Sequence, residues 1–418
     1  MQKVANTNLH DAKKNKKDEF YTQLSDIENE LQHYKEHFKD KIVYCNCDDP
    51  LASNFFKYFL LNFKHLNLKG LMATCYKSQN YREVSDENSP KKAYAIMIGK
   101  NNKAFKNGGG GGNSHLLDDI EKILELDLAK QDNENLKLFE KNLSKLQEKI
   151  FFLKADEPQE QTLFEITEDN ELNNAGDFRS KDCIELLKLA DIVVTNPPFS
   201  LFREYVAQLV EYGEKKKKES GKELNFVILG NQNAITYKEI FKLIKENKLW
   251  LGRTLSYAAF KVPNYYEERS NRFWIDENGQ KWRSFGNICW FTNLTHKKRN
   301  EILETIASYK KNPEQYPKYD NYDAINVDKT IEIPLDYDGI MGVPITFLDK
   351  HNPKQFEILS CHEPAILLET LKQMPKFKEY KSRQIIINGR VCQKTYHRIF
   401  IRKIAEVAEL RKLEFEKM

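Results

Sequence analysis

The residues with the most chemical content in this sequence are Asn196, Pro197, Pro198 and Phe199, which follow directly on the apolar run Ile192-Val193-Val194. Neither proline has an N–H to donate to a sheet ladder, so a strand must stop there. What stands at its carboxyl end is a carboxamide, two rigid carbonyls and an aromatic ring. In open α/β sheets ligands bind at that end of the strands. A planar amine such as the exocyclic amine of adenine is a poor nucleophile, because its lone pair is delocalised into the ring. An amide oxygen and a backbone carbonyl accepting its two N–H bonds would favour a tetrahedral nitrogen with an available lone pair. That is stabilisation of developing charge by fixed dipoles, with no tuned base required. Phe199 would stack on an extruded base. A plainer reading competes: a strand followed by a rigid turn, with Asn196 as a helix N-cap. At average proline usage of ~5%, a chance [Asn/Asp/Ser]-Pro-Pro-aromatic in a chain this long is on the order of one in a hundred. The functional reading is therefore preferred.

Elements that would position this set can be read on either side of it. Ile42 to Cys47 reads as a first buried strand, ended by Asp48-Asp49-Pro50, and Ser53 to Phe63 as an apolar amphipathic helix. Strand, acidic turn and helix open a doubly wound α/β unit. Gly70 to Cys75 reads as a second strand, Cys183 to Leu189 as a helix, and Phe226 to Gly230 as a further buried strand ending in Asn231-Gln232-Asn233-Ala234. Trp250 to Phe260 and Gly286 to Thr292 add two more. Ser25 with Glu28 three residues on predicts a capping box opening a helix to about Phe38. His33 and His37 lie four apart there without an evident third ligand, and no metal site is expected. No G-x-G-x-x-G occurs, which gives no support to ordinary dinucleotide binding.

Residues 78–170 are set apart as an insertion. They hold a short strand (Tyr94 to Ile98), five glycines (Gly108 to Gly112) without P-loop spacing, and a charged helical stretch (His115 to Ile150) with Leu136, Leu143 and Leu146 at helical spacing. The glycines read as a connector. Lys215 to Lys218 reads as a loop with a solvated face. Beyond residue 296 the pattern loosens. Met341 to Phe347 and Arg398 to Ile401 read as strands, while Lys376 to Arg383 and Arg390 to Arg402 mix basic and aromatic residues in the manner of phosphate and base contacts.

At 418 residues the chain can bury a large core and is expected to form two domains. Its 66 basic and 62 acidic residues nearly cancel, so nucleic-acid binding would have to rest on a local patch. Seven scattered cysteines, without a CxxC pair, argue against a disulfide framework and against zinc. The amino-terminal residues 1–17 are polar and lysine-rich, with no apolar signal, and no apolar run approaches membrane-spanning length. A soluble, cytoplasmic protein is expected.

Taken in order, DEFYTQ, CNCDDP with SNFFKYF, AGDFRS, TNPPFSLFREY, GNQNAITYKE, ICWFTNL, MGVPITFLDK and NPKQFEIL resemble the EcoRI-type family of adenine-specific DNA methyltransferases. The resemblance implies a Rossmann-like methyltransferase domain using S-adenosyl-L-methionine, with an insertion and a C-terminal α+β DNA-recognition region. It assigns residues 1–295 to the catalytic domain and 296–418 to target recognition. Tyr21 and Thr22 match the motif placed beside the methionine moiety. Cys45 to Pro50, with Asp48 and Asp49, stands where relatives carry a glycine-rich cofactor turn, and here the glycines are missing. Asp177 and Phe178 match the motif that contacts the cofactor adenine, and Asn196, Pro197, Pro198 and Phe199 match the catalytic tetrad. The implied activity is methylation of a flipped adenine in double-stranded DNA by a monomer. A restriction-modification or orphan role follows, with any cognate endonuclease not stably bound. Two alternatives remain open: an RNA or protein-glutamine methyltransferase using the same tetrad, and a DNA-binding protein that has lost catalysis.

Overall fold

The structure, a computed structural model, describes residues 22–47, 49–50, 53–75, 93–99, 151–152, 176–256, 259–262, 272–284, 287–320, 322–361, 386–391 and 397–404. Tyr21, Asp48, the glycine run 108–112, the stretch 115–150 and the segment 376–383 lie outside the described residues. The chain divides into two compact units, residues 1–232 with 254–294, and residues 233–253 with 295–418.

The first unit is built on helices α1 (Leu24–Leu31), α2 (Lys35–Phe38), α3 (Asn54–Leu61), α4 (Lys181–Leu189) and α5 (Phe202–Ser220). Its strands β1 (Ile42–Cys45), β2 (Gly70–Thr74), β3 (Tyr94–Gly99), β4 (Phe151–Phe152), β5 (Ile192–Thr195) and β6 (Asn225–Asn231) form the larger part of one mixed sheet. Downstream, α6 (Lys238–Lys245) belongs to the second unit, and β7 (Trp250–Ser256) leads back into the first, with Thr254 to Ser256 inside it. A small antiparallel sheet follows from β8 (Ala259–Lys261), β9 (Phe273–Ile275) and β10 (Lys281–Ser284), in the order β8-β10-β9, and then β11 (Ile288–Thr292). The large sheet has the order β4-β3-β2-β1-β5-β6-β11-β7. Its centre, β2-β1-β5-β6, is parallel, and β3 and β11 are antiparallel to their neighbours β2 and β6.

The parallel strands are mainly apolar because helices cover both faces, the arrangement expected of a buried parallel sheet, with Tyr44, Thr74 and Thr195 as buried polar exceptions. Val43 and Cys45, Leu71 and Ala73, Ile192 and Val194, and Val227 and Leu229 share one core with Ile27 and Leu31 of α1 and Phe55, Phe56 and Phe59 of α3. The alternate residues face the other layer, where α4 lies on β1 and α5 on β6. Helix α3 starts at Ser53, whose Oγ accepts from Phe55 N–H at 3.2 Å. Each of its fully buried aromatics contributes roughly 1.5–3 kcal/mol through burial.

Several local expectations are changed by long-range packing. The Ser25–Glu28 capping box is absent: α1 begins at Leu24 behind Gln23, which makes no side-chain cap. The helix then tightens to a 3-10 turn at Gln32–Tyr34, separating His33 from His37. The lysine run 215–218 lies on α5 rather than in a loop. Two strands from the segment set apart as an insertion, β3 and β4, extend the large sheet at its edge. The expected strand Trp250 to Phe260 is split between two sheets at β7 and β8.

In the second unit β12 (Ala324–Asn326), β13 (Ile340–Pro344), β14 (Phe356–Cys361) and β17 (Arg398–Lys403) make a four-stranded sheet in the order β12-β13-β17-β14, with α6 packed on β14. Between the last two in sequence, β15 (Ile386–Ile387) and β16 (Arg390–Val391) form a hairpin across Asn388-Gly389. Both turn residues have positive φ, 51° and 69°, as a two-residue hairpin turn requires.

Candidate active site

From β1 the chain moves outward to β2 on one side, and β5 is laid down on β1's other side. The gap between the carboxyl ends of β1 and β5 is therefore the point where strand order reverses, which in such sheets is the binding crevice. The residues flanking it are Asn46, after β1, and Asn196, after β5.

Hydrogen bonds tie the two strand ends together. Thr195 Oγ1 donates to the Asn46 carbonyl, and Tyr205 Oη, from α5, donates to Asn46 Oδ1. Both Thr195 and Tyr205 are buried, as is Asn46. The Tyr205 ring meets Phe178 edge-on with centroids 5.0 Å apart, and Gln208 Nε2 donates to the Phe178 carbonyl at 2.8 Å. The end of β2 joins through Tyr44 Oη and Thr74 Oγ1, 2.8 Å apart. Gly176, at φ +79°, lies so close to Cys75 that a Cβ would sit 2.0 Å from its carbonyl oxygen. Only glycine fits there. The Gly176-Asp177-Phe178 turn is thus seated against the end of β2, and α5 carries the connection to β1.

Burial pushes the phenols of Tyr44 and Tyr205 and the Cys183 thiol upward, so all three stay protonated at neutral pH. Arg179 is held protonated by Asp177 and, more weakly, by Glu204.

Asn196 is buried, at 7% exposure, Pro197 is buried, and Pro198 and Phe199 are half-buried. The Pro198 carbonyl accepts from Leu201 N–H at 2.9 Å, closing a short 3-10 helix that starts at Phe199. Helix α5 begins only at Phe202, behind Leu201, and neither helical start is capped by a side chain. Asn196 is therefore not an N-cap, although the strand and the rigid turn of the plainer reading are both present. Phe199 packs against the main core at the same strand end.

The other candidates divide by what their side chains do. The Cys45 side chain is buried in the core. Asp49 is buried and accepts from Tyr94 Oη, while its carbonyl accepts from Ser53 N–H at 2.6 Å. Pro50 beside it is buried. Thr22 is 3% exposed; Asn54 Nδ2, at the start of α3, donates to its carbonyl at 2.7 Å. The Thr22 hydroxyl itself is buried and makes no hydrogen bond among the described residues. Both oxygens of Asp177 are engaged by Arg179, at 2.8 Å from Nε and 2.7 Å from Nη2. Just after β1, Cys47 adopts φ +80°. A left-handed conformation costs an L-residue about 1–2 kcal/mol, and such strain collects at functional turns. Asn46 lies in the CNCDDP block, Thr195 and Tyr205 in TNPPFSLFREY and Tyr94 at the start of a strand, yet none of the four has a role legible in sequence. Only the adjacency of the strand ends makes them part of the site.

A family profile described as adenine-specific methyltransferase EcoRI matches residues 8–404. The chain is 45% identical over 358 residues to the type II methyltransferase M.EcoRI of Escherichia coli, spanning 85% of this chain and 89% of that protein. It is 36% identical over 367 residues to the type II methyltransferase M.MpnI of Mycoplasma pneumoniae, covering 86% and 88%. With M.MgeORF184P of Mycoplasma genitalium, another type II methyltransferase, it shares 32% over 397 residues, 94% of this chain and 97% of the relative. No solved structure matches the chain. An Asn-Pro-Pro-Phe strand end at the reversal point of an α/β sheet, and relatives matched over most of their length, lead to one statement: the chain belongs to the EcoRI family of adenine-specific methyltransferases.

Proposed function

We propose that this chain is a site-specific DNA adenine methyltransferase that moves a methyl group from S-adenosyl-L-methionine to the exocyclic amine of an adenine extruded from double-stranded DNA. The observation that carries the reading is Asn196-Pro197-Pro198-Phe199 at the carboxyl end of β5, with Asn196 buried beside the crevice and not spent on capping a helix. Bound there, S-adenosyl-L-methionine supplies an electrophilic methyl on a sulfonium centre. Asn196 Oδ1 and the Pro197 carbonyl are assigned as the acceptors of the two amine N–H bonds. Pro198 is not chosen, because its carbonyl already accepts from Leu201. Phe199 is assigned to stack on the extruded base, which offsets part of the few kcal/mol that extrusion costs.

The residues flanking the crevice suit a zwitterionic nucleoside donor. The buried Thr22 hydroxyl lacks a partner among the described residues and stands by the start of α3, near the Asp49-Pro50 turn. Asp49 supplies a carboxylate, and Asp177 and Phe178 stand at the end of β2, the carboxylate held by Arg179. Tyr21, Asp48 and the Cys45 backbone complete the assignment. A Rossmann-like reading is supported by the parallel centre β2-β1-β5-β6 with its reversal between β1 and β5. Residues 1–295 are assigned to catalysis and 296–418 to target recognition, the enzyme acting as a monomer in restriction-modification or as an orphan. Among the described residues no helix is long and apolar enough to cross a membrane.

The test is methyl transfer from labelled S-adenosyl-L-methionine to unmethylated duplex DNA, with RNA and protein acceptors in parallel. Label in N6-methyladenine of the DNA supports the reading. Label only in RNA or protein, or no donor binding by titration, overturns it.

A further inference from the structure

The small sheet β8-β10-β9 takes no part in the site above, and its two faces differ. On one face Arg283 stands between Phe260 and Phe273, of which Phe260 is fully buried and Phe273 packs on the main core. Neighbouring positions point the other way. There Trp282 is flanked by Lys261 on β8 and Trp274 on β9, so the three form one row across the outward face. The two indoles are nearly parallel, 9° between planes and 6.3 Å between centroids, and Trp274 is 42% exposed.

Trp282, on which Trp274 stacks, is held in place. Trp282 Nε1 donates to Asp276 Oδ2 at 2.8 Å, while Asp276 Oδ1 accepts from the N–H groups of Asn278 and Gln280. The turn that joins β9 to β10 is completed by Gly279 at φ +77°. A flat ring fixed in advance loses little entropy when something stacks on it. The row carries its own cation, Lys261, whereas Lys281 and Arg283 alternate to the opposite face.

Topology places the row at the catalytic end of the large sheet. Strand β11 begins with Ile288 paired to Asn231, at the carboxyl end of β6, and the Asn287 carbonyl accepts from Gln232 N–H at 2.6 Å. Strand β6 runs parallel to β5, with Ile228 beside Thr195. From Ser284 to Asn287 is three residues, a reach of at most ~11 Å. The small sheet thus hands the chain back at the strand ends that carry Asn196 and Phe199.

We propose that the Trp274–Trp282 pair is a base-stacking platform that receives an unstacked base of the target DNA, with Lys261 meeting a neighbouring phosphate. The proposal rests on the DNA reading above. Stacking on an aromatic ring tolerates any base, so the platform adds affinity for distorted DNA without adding sequence preference.

The test uses the full chain with a mixed-sequence duplex carrying one unpaired base, and the fully paired duplex beside it. Trp274→Ala is expected to weaken binding of the first by about 5- to 150-fold, the range for loss of one stacked base. It should leave the salt dependence unchanged, since no charge is removed. Trp274→Phe should retain most of the affinity, and Lys261→Ala should flatten the log–log salt slope by about one. Wild-type affinity in Trp274→Ala, with methylation intact, overturns the platform and leaves the enzyme reading standing. Failure of the wild type to bind either duplex overturns both. A change of oligomeric state in Trp274→Ala at unchanged DNA affinity also overturns the platform, because the ring would then be a contact between copies of the chain.

Discussion

Tyr205→Phe isolates the link between the two strand ends. The substitution removes one oxygen and leaves the ring, so the edge-on contact with Phe178 is kept and no cavity opens. What is lost is the hydrogen bond to Asn46 Oδ1, in a place where Tyr205 is 1% and Asn46 3% exposed. A buried acceptor deprived of its donor costs about 1–3 kcal/mol. Unfolding followed by circular dichroism should show a midpoint lowered by roughly 2–6 °C. Because Asn46 begins the turn assigned to the methyl donor, its loosening should raise the donor KM about tenfold, equivalent to ~1.4 kcal/mol, with a smaller effect on kcat. The phenol is held protonated well above its ordinary range by burial, so the difference between wild type and variant should be constant from pH 6 to pH 9. A variant with the wild-type midpoint and the wild-type donor KM would refute the view that this hydrogen bond organises the crevice.

Three further outcomes follow from single positions. Thr22→Val removes a buried hydroxyl with no partner among the described residues; stability should hold or rise by up to ~1 kcal/mol in denaturant unfolding, while donor Kd rises about 2- to 10-fold by titration calorimetry. Cys47→Gly relieves the +80° φ at about 1–2 kcal/mol against ~0.5–1 kcal/mol of added chain entropy, so a small gain in unfolding midpoint is expected. His351, in the second unit, is buried with Nε2 against the Phe356 carbonyl at 2.9 Å, and burial with Arg299 nearby lowers its pKa to about 4. Its folded pKa lies below its unfolded value, so the unfolded chain takes up a proton that the folded one refuses. That contribution is complete above about pH 6.5 and is lost as pH falls towards 4, on the order of 3 kcal/mol in all. His351→Gln should flatten that stretch of the stability-against-pH curve, measured by chemical denaturation at each pH.

Much of the sheet was readable because its strands are short apolar runs closed by turn residues, as at Ile192 to Thr195 before the prolines. The tetrad was readable for the same reason, since two prolines fix a strand end regardless of what surrounds it. Sheet order was not readable: nothing local in Tyr94 to Gly99 says that it pairs antiparallel to β2. The lysine run was misplaced because its helix is completed by distant partners. Lys216, half-buried, donates to the Ala190 carbonyl and faces Asp191 at 3.6 Å, just before β5. Asn46, Thr195 and Tyr205 are ordinary residues in sequence, and become a unit only when β1, β5 and α5 meet. Asp177 was named from the motif, yet its clasp by Arg179, two residues on, is visible only in the fold.

The central claim is that Asn196 activates an adenine amine in DNA. Single-turnover methyl transfer under saturating donor and DNA, comparing wild type with Asn196→Ala, tests it most directly. Loss of one preorganised partner of the reacting group predicts a rate lowered by about 10²–10³, roughly 2.7–4 kcal/mol, with DNA and donor affinity nearly unchanged. Equal rates of N6-methyladenine formation in the two proteins would contradict the account.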